Sequence, residues 1–253
     1  MKKIIAANWK MNKLRAEAED AAGILADAAK NISNDRQMIV FPPFTAISAV
    51  ARIFAGRTNL AVGAQNVYPA GSGAFTGEIA PAMLQDAGAA WVLTGHSERR
   101  HALGESNAFV AEKTRFSLEC GLKVMLCIGE TLEERDAGNL EKVLAEQLSV
   151  VIQALSEASR NALAGSFAVA YEPVWAIGTG KVAGAAEVTA AHAAVRALLR
   201  NMLGDTASSL PILYGGSVKP DNAAQLLNLD NVDGLLVGGA SLEAESFLQI
   251  ANA

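Results

Sequence analysis

Eight short, nearly continuous apolar stretches recur along this chain, and their number and spacing limit its fold more than any other feature. They are IIAAN (4–8), MIVF (38–41), LAVGA (60–64), WVLTG (91–95), VMLCIG (124–129), FAVAYE (167–172), PILYG (211–215) and GLLVG (234–238). Runs of this kind suit strands of a parallel sheet that is covered on both faces. Between them, LRAEAEDAAGILADAAK (14–30) and EVTAAHAAVRALLRNML (187–203) space apolar residues three and four apart, as amphipathic helices do. Eight strand–helix units in 253 residues fit an α/β chain closed into a (β/α)8 barrel, eight parallel strands ringed by helices. An open doubly wound sheet shares the same alternation. No Pro/Gly/Ser-rich linker or low-complexity segment interrupts the pattern, so residues 1–253 are expected to form one domain.

Composition narrows the function classes. The net charge of −5 argues against nucleic acid as a partner but allows a locally positive pocket for a small anion. No run of about 18 apolar residues exists, so no membrane span is expected. The apolar run in MKKIIAANWKMNK is too short for a signal peptide, and a cytoplasmic location is the expectation. Cys120 and Cys127 form no CxxC motif, which points to neither a disulfide framework nor a zinc site.

In a barrel, chemistry gathers where strands end. The strand ends here read Asn8-Trp9-Lys10, Gly95-His96-Ser97-Glu98-Arg99-Arg100-His101, Glu172-Pro173, Gly215-Gly216-Ser217 and Gly238-Gly239. Glu172 closes an apolar strand, where loss of water would turn a carboxylate into a usable general base; a structural ion pair or a helix cap is the plainer role. His96 stands between a strand and an expected helix start at Ser97. A neutral imidazole there could donate to a substrate carbonyl, or it could simply cap or pack. His96 and His101 are five apart, a poor spacing for a shared metal, and no metal is expected. Lys10 could meet an anionic substrate, with Asn8 two residues away on the same side of an extended chain; alone it would read as a surface lysine. The two glycine pairs precede expected helices, where backbone N–H groups bind phosphate, although tight turns alone would also use glycine.

The stretch YEPVWAIGTGKV (171–182) ends in a GTGK sequence that invites a nucleotide reading. A P-loop needs glycine where Trp175 stands and Ser or Thr where Val182 stands; a GxGxxG fingerprint fails at Ala183. What remains is a hinged lid rooted at Glu172, with rigid entry at Pro173, an apolar tip over Trp175–Ile177 with an exposed-looking tryptophan, and glycines at its far end.

Taken together, ANWKMN (7–12), AQNVYPAGSGAFTGEI (64–79), GHSERR (95–100), LCIGE (126–130), AYEPVWAIGTGK (170–181), YGGSV (214–218) and VDGLLVGGASL (232–242) resemble the triosephosphate isomerases over the whole chain. The resemblance implies a TIM barrel that interconverts glyceraldehyde 3-phosphate and dihydroxyacetone phosphate, without cofactor or metal. It implies Glu172 as the base between C1 and C2, and His96 as the neutral electrophile at the enediol oxygens. Lys10 and Asn8 would bind substrate, and Glu98 would hold Lys10. Ser97 would hold Glu172 while the lid is open. Phosphate would meet Gly178, Gly238, Gly239 and Ser217; Ile177 and Leu236 would clamp over Glu172, and Tyr214 would hold the closed lid. A homodimer is implied through the loop Gln65 to Glu78, longer than an ordinary βα connection of about 2–6 residues, with Thr76 crossing to the partner.

Two departures from the family stand out. Val182 replaces a frequent Ser or Thr at the lid's far hinge, which implies altered lid rates that Val182→Thr would shift in relaxation dispersion. The following helix begins AGAAEVTAAH instead of with Pro-Glu, so its first turn is expected to cap differently. The alternatives on the same barrel are another sugar-phosphate isomerase, an aldolase using Lys10 as a Schiff base, or a catalytically idle relative.

Overall fold

The computed structural model describes residues 2–176 and 183–253. Eight parallel strands close into a barrel in sequence order, which decides against the open sheet. They are β1 (Lys3–Asn8), β2 (Arg36–Phe41), β3 (Leu60–Ala64), β4 (Trp91–Thr94), β5 (Lys123–Ile128), β6 (Phe167–Tyr171), β7 (Ile212–Tyr214) and β8 (Gly234–Val237). Every apolar run became a strand. β2 starts two residues before its run because Arg36 and Gln37 pair through their backbones with Lys3 and Ile4, which needs no apolar side chain.

Side chains alternate across each strand, so one set faces the barrel axis and the other the helices. The inner set includes Ile4, Ala6, Ile39, Phe41, Leu93, Met125, Cys127, Ala168, Ala170, Leu213 and Leu236. The outer set, with Ile5, Ala7, Val40, Val124, Leu126 and Val169, packs on the helical ring. The same alternation carries Asn8 after Ala6 and Glu172 after Ala170. Both polar residues therefore crown inward rows at the C-terminal mouth.

The ring contains α1 (Arg15–Ala28), α2 (Ile47–Phe54), α3 (Pro81–Asp86), α4 (Ser97–His101), α5 (Asn107–Glu119), α6 (Leu132–Asp136), α7 (Leu140–Ala154), α8 (Glu157–Asn161), α9 (Ala185–Leu203), α10 (Pro220–Leu227) and α11 (Ala244–Ala251). In α1 the buried residues Ala18, Ala21, Ala22 and Leu25 make one stripe; in α9 Val188, Ala191, His192, Val195 and Leu199 do the same. The start of α9 is capped from inside: the Glu187 carboxylate accepts the Gly184 backbone N–H at 2.7 Å. A glutamate in the first turn thus supplies the cap that the unusual AGAAE start left open.

Among the described residues no helix is long and apolar enough to cross a membrane. Both cysteines are free, Cys120 half-buried and Cys127 in the barrel interior.

Candidate active site

At the C-terminal mouth a cavity of about 490 Å³ brings together Asn8, Lys10, His96, Glu172, Ser217, Leu236, Gly238 and Gly239. Ser97, Glu98 and Tyr214 stand beside or behind it, and Thr76 lies on the exposed loop after β3. Ile177, Gly178 and Val182, the last expected from the sequence to be a hinge, lie outside the described residues.

Glu172 follows β6 and is almost wholly buried. Its Oε2 accepts the Ser97 backbone N–H at 2.9 Å, so the contact between the two residues runs through the main chain of Ser97. Its Oε1 lies 3.2 Å from His96 Nε2. The other ring nitrogen, Nδ1, accepts the Glu98 backbone N–H at 3.3 Å. An accepting Nδ1 leaves the proton on Nε2, and the ring is then neutral with its N–H aimed at the carboxylate and the cavity. His96 occupies the residue before α4, where a ring nitrogen can satisfy an otherwise unpaired N–H of the first turn.

The backbone under Glu172 is tightly packed. Its N–H donates to the Ile128 carbonyl at 2.7 Å. A Cβ on Gly129 would come within 1.7 Å of the Glu172 carbonyl oxygen, so only glycine fits. The inward Cys127 thiol lies beneath the carboxylate, and burial first, then the Glu172 charge, pushes it well above the ordinary thiol range. Arg100 ties the neighbouring strand ends: Nε donates to the Gly95 carbonyl at 2.7 Å and Nη2 to the Cys127 carbonyl at 3.3 Å. Burial holds this guanidinium below its usual value.

Lys10 follows β1 in a left-handed backbone conformation, with φ of 52°. Asn8 Oδ1 accepts the Lys10 N–H at 3.0 Å, and Gln65 Nε2 donates to the Lys10 carbonyl at 2.8 Å. These bonds offset the cost of that conformation. The ammonium meets Glu98 Oε1 at 2.6 Å.

The far side of the cavity is mostly main chain. Gly239–Ser241 forms a 3-10 turn whose first N–H groups have no partner within the turn, an arrangement suited to an anion. Gly215-Gly216-Ser217 precedes a helix, as expected: α10 begins at Pro220, which favours that first position because it has no N–H to satisfy. Gly216 lies against Tyr214, where a Cβ would meet the phenol oxygen at 2.2 Å. The buried Tyr214 Oη has no partner at ordinary hydrogen-bond geometry among the described residues. Burial pushes this phenol up to about 12.

One expectation is overturned just after Glu172. Trp175 is buried, not exposed, because its indole N–H finds a buried acceptor: Nε1 donates to Glu130 Oε1 at 2.8 Å. The Arg135 guanidinium covers the ring at 4.7 Å from its centroid. The same Glu130 oxygen accepts the Tyr171 phenol at 3.0 Å and Arg135 Nη1 at 3.1 Å. Glu130 was missed in the sequence reading although LCIGE carries the signal that singled out Glu172, a glutamate closing an apolar strand. Among the described residues no cluster of His, Cys, Asp or Glu is arranged to hold a metal ion.

Comparison with known proteins follows the whole length of this architecture. Residues 3–253 match the family model described as triosephosphate isomerase. The chain is 60% identical over 250 residues to the triosephosphate isomerase of Oleidesulfovibrio alaskensis, covering 99% of both chains. It is 60% identical over 251 residues to that of Nitratidesulfovibrio vulgaris strain DP4, again covering 99% of each. Against the Chloroflexus aurantiacus enzyme the identity is 48% over 248 residues, covering 98% of this chain and 97% of the relative. A closed barrel, a carboxylate–imidazole pair at its mouth and this end-to-end likeness lead to one conclusion: the chain belongs to the triosephosphate isomerase family.

Proposed function

We propose that this protein interconverts D-glyceraldehyde 3-phosphate and dihydroxyacetone phosphate through an enediol(ate), as one (β/α)8 domain over 1–253. The observation that carries the reading is the buried pair of Glu172 Oε1 and His96 Nε2, 3.2 Å apart at the wall of the cavity. Moving a proton between adjacent carbons needs a base that reaches both and a donor at the oxygens. Glu172 takes the proton from one carbon and returns it to the next. His96, with its proton on Nε2, serves the two oxygens. Lys10 and Asn8 hold the substrate and offset the negative charge that develops. The phosphate lies against Gly238, Gly239 and Ser217, with Gly178 completing the set. Closure over Glu172 by Ile177 and Leu236, latched at Tyr214, keeps water from the enediol(ate) and limits loss of phosphate. The aldolase alternative is not favoured, since Lys10 is ion-paired with Glu98 rather than lodged in an apolar interior.

The same reading makes the protein a cytoplasmic homodimer. Its substrate is a charged ester that stays in the compartment where it is made. Beside the cavity lies an open groove of about 300 Å³ whose wall includes Lys10, Met11, Phe44, His96 and Leu103. Met11 is 95% exposed and Leu103 63%, an apolar surface that invites cover. The long connection after β3 carries Thr76 to the surface and supplies a projection of the right kind for a partner's groove. Sedimentation at micromolar concentration should give a dimer; a monomer there would falsify the assembly.

An assay with glyceraldehyde 3-phosphate, coupled to reduction of the ketose product, tests the activity. Turnover that is lost by orders of magnitude in Glu172→Gln is the expected result. Absence of turnover in the unaltered protein would overturn the reading.

A further inference from the structure

The cavity faces an electrostatic difficulty. The chain carries a net charge of −5, and its substrate under the proposed function is a phosphate monoester. Of the charged side chains at the mouth, Lys10 is paired with Glu98 at 2.6 Å, and Glu172 brings a further carboxylate. That set alone would repel an incoming dianion. Lys219 is the remaining cation on the cavity wall among the described residues. It is exposed and takes part in no salt bridge among the described residues.

The main chain at Lys219 is fixed. Its backbone N–H donates to Asn222 Oδ1 at 2.8 Å, and Pro220 follows as the first residue of α10. The Asn222 amide in turn donates to the Ser217 carbonyl at 3.1 Å. The root of the lysine side chain is therefore anchored to the same turn that carries Ser217, on the wall opposite His96 and Glu172. A long, strongly hydrated ammonium on a fixed root can stay in water and still bias the field at the mouth.

We propose that Lys219 is the steering and specificity residue for the phosphate group of the substrate, drawing the dianion to the glycine-lined wall and favouring phosphorylated over unphosphorylated trioses. This rests on the isomerase reading of the site. Lys219 does not take part in the proton transfers. Its effect falls on capture, and it weakens with salt because an exposed charge is screened within about 10 Å at 0.1 M ionic strength.

The test compares Lys219→Ala, Lys219→Glu and Lys219→Arg with Lys30→Ala, which removes the same charge at the opposite end of the barrel. At low salt, Lys219→Ala should lower kcat/KM for glyceraldehyde 3-phosphate by about three- to tenfold, with kcat little changed. Lys219→Glu should lower it further, Lys219→Arg should restore it, and the differences should shrink at high salt. The loss should be confined to the phosphorylated substrate and absent with glyceraldehyde. Titration with inorganic phosphate gives a readout independent of turnover: Lys219→Ala should weaken binding by a similar factor. A Lys219→Ala effect no larger than that of Lys30→Ala, or one insensitive to salt, overturns the proposal. If the unaltered protein binds phosphate but shows no isomerase turnover, the functional reading fails while the role of Lys219 is still judged by the titration.

Discussion

The two walls of the cavity are built from different materials. On the side of β4 to β6, side chains are cross-linked to one another and to the main chain: Glu172 to His96 and to the Ser97 backbone N–H, Arg100 to two strand-end carbonyls, Glu130 to Tyr171, Trp175 and Arg135. On the side of β7 and β8, the wall is glycine and backbone, with one exposed lysine at its rim. Proton transfer needs a carboxylate placed to within a fraction of an ångström, so its wall is cross-linked. Holding a phosphate needs several donors and room, which main-chain N–H groups provide without side-chain charge. The contrast predicts that damage to the first wall appears in kcat and damage to the second in KM.

The largest break should come at Glu172. Glu172→Gln keeps the shape and removes the base, and kcat should fall about 10³-fold or more with KM little altered. Gly129→Ala should come next, since its methyl group would displace the backbone of Glu172 itself. A misplaced base costs on the order of 10²-fold in kcat. Gly216→Ala, on the other wall, crowds the tip of Tyr214 and the ring of Pro173. Its cost should fall mainly on KM for the phosphorylated substrate. If the two glycine variants behave alike in steady-state kinetics, the division of labour between the walls is wrong.

A smaller effect concerns stability. His192, behind both walls, packs edge-on against Tyr171 and near Tyr214. Its Nδ1–H is paired with the Asn231 carbonyl at 2.9 Å, and Nε2 is buried without a partner among the described residues. Burial lowers this imidazole to about 4 from 6.5. Between those values the unfolded chain binds the proton that the folded chain excludes. Stability should therefore be full above pH 6.5 and decline as pH falls towards 4, by about 3 kcal/mol from this group. Denaturant titrations of His192→Gln should show a flatter acid limb. Smaller still, Trp175→Phe should cost about 1–2 kcal/mol by removing one charge-assisted hydrogen bond to Glu130 while leaving Tyr171 and Arg135 in place.

The first wall was legible in the sequence to an uneven degree. His96 and Glu172 stood out because each interrupts an apolar pattern at a strand end. All eight strands could be located because a sheet buried on both faces leaves unbroken apolar runs. Glu130 gave the same signal without showing a partner: its contacts come from Tyr171, Trp175 and Arg135, and Tyr171 and Trp175 meet it only once β6 has paired beside β5, about forty residues on. Trp175 misled for a related reason. Nothing local in EPVWAI shows that an acceptor just after β5 and a guanidinium on α6 wait for the indole. The second wall was legible as glycine pairs that precede helical stretches, and α10 does follow Gly215-Gly216-Ser217, opening at Pro220, a residue that suits a helix's first turn.

The setting of Trp175 has a spectroscopic consequence. The chain has three tryptophans. Trp9 and Trp91 are buried in the barrel framework, Trp9 with its indole N–H on the Ser241 carbonyl at 3.1 Å. Trp175 alone sits three residues beyond Glu172, between a carboxylate and a guanidinium whose charges act on its excited state. In a chain carrying Trp9→Phe and Trp91→Phe, its emission becomes a built-in gauge of that charged pair. A substrate analogue that alters the Glu130 contact should then be visible as a change in colour and intensity, without any attached dye.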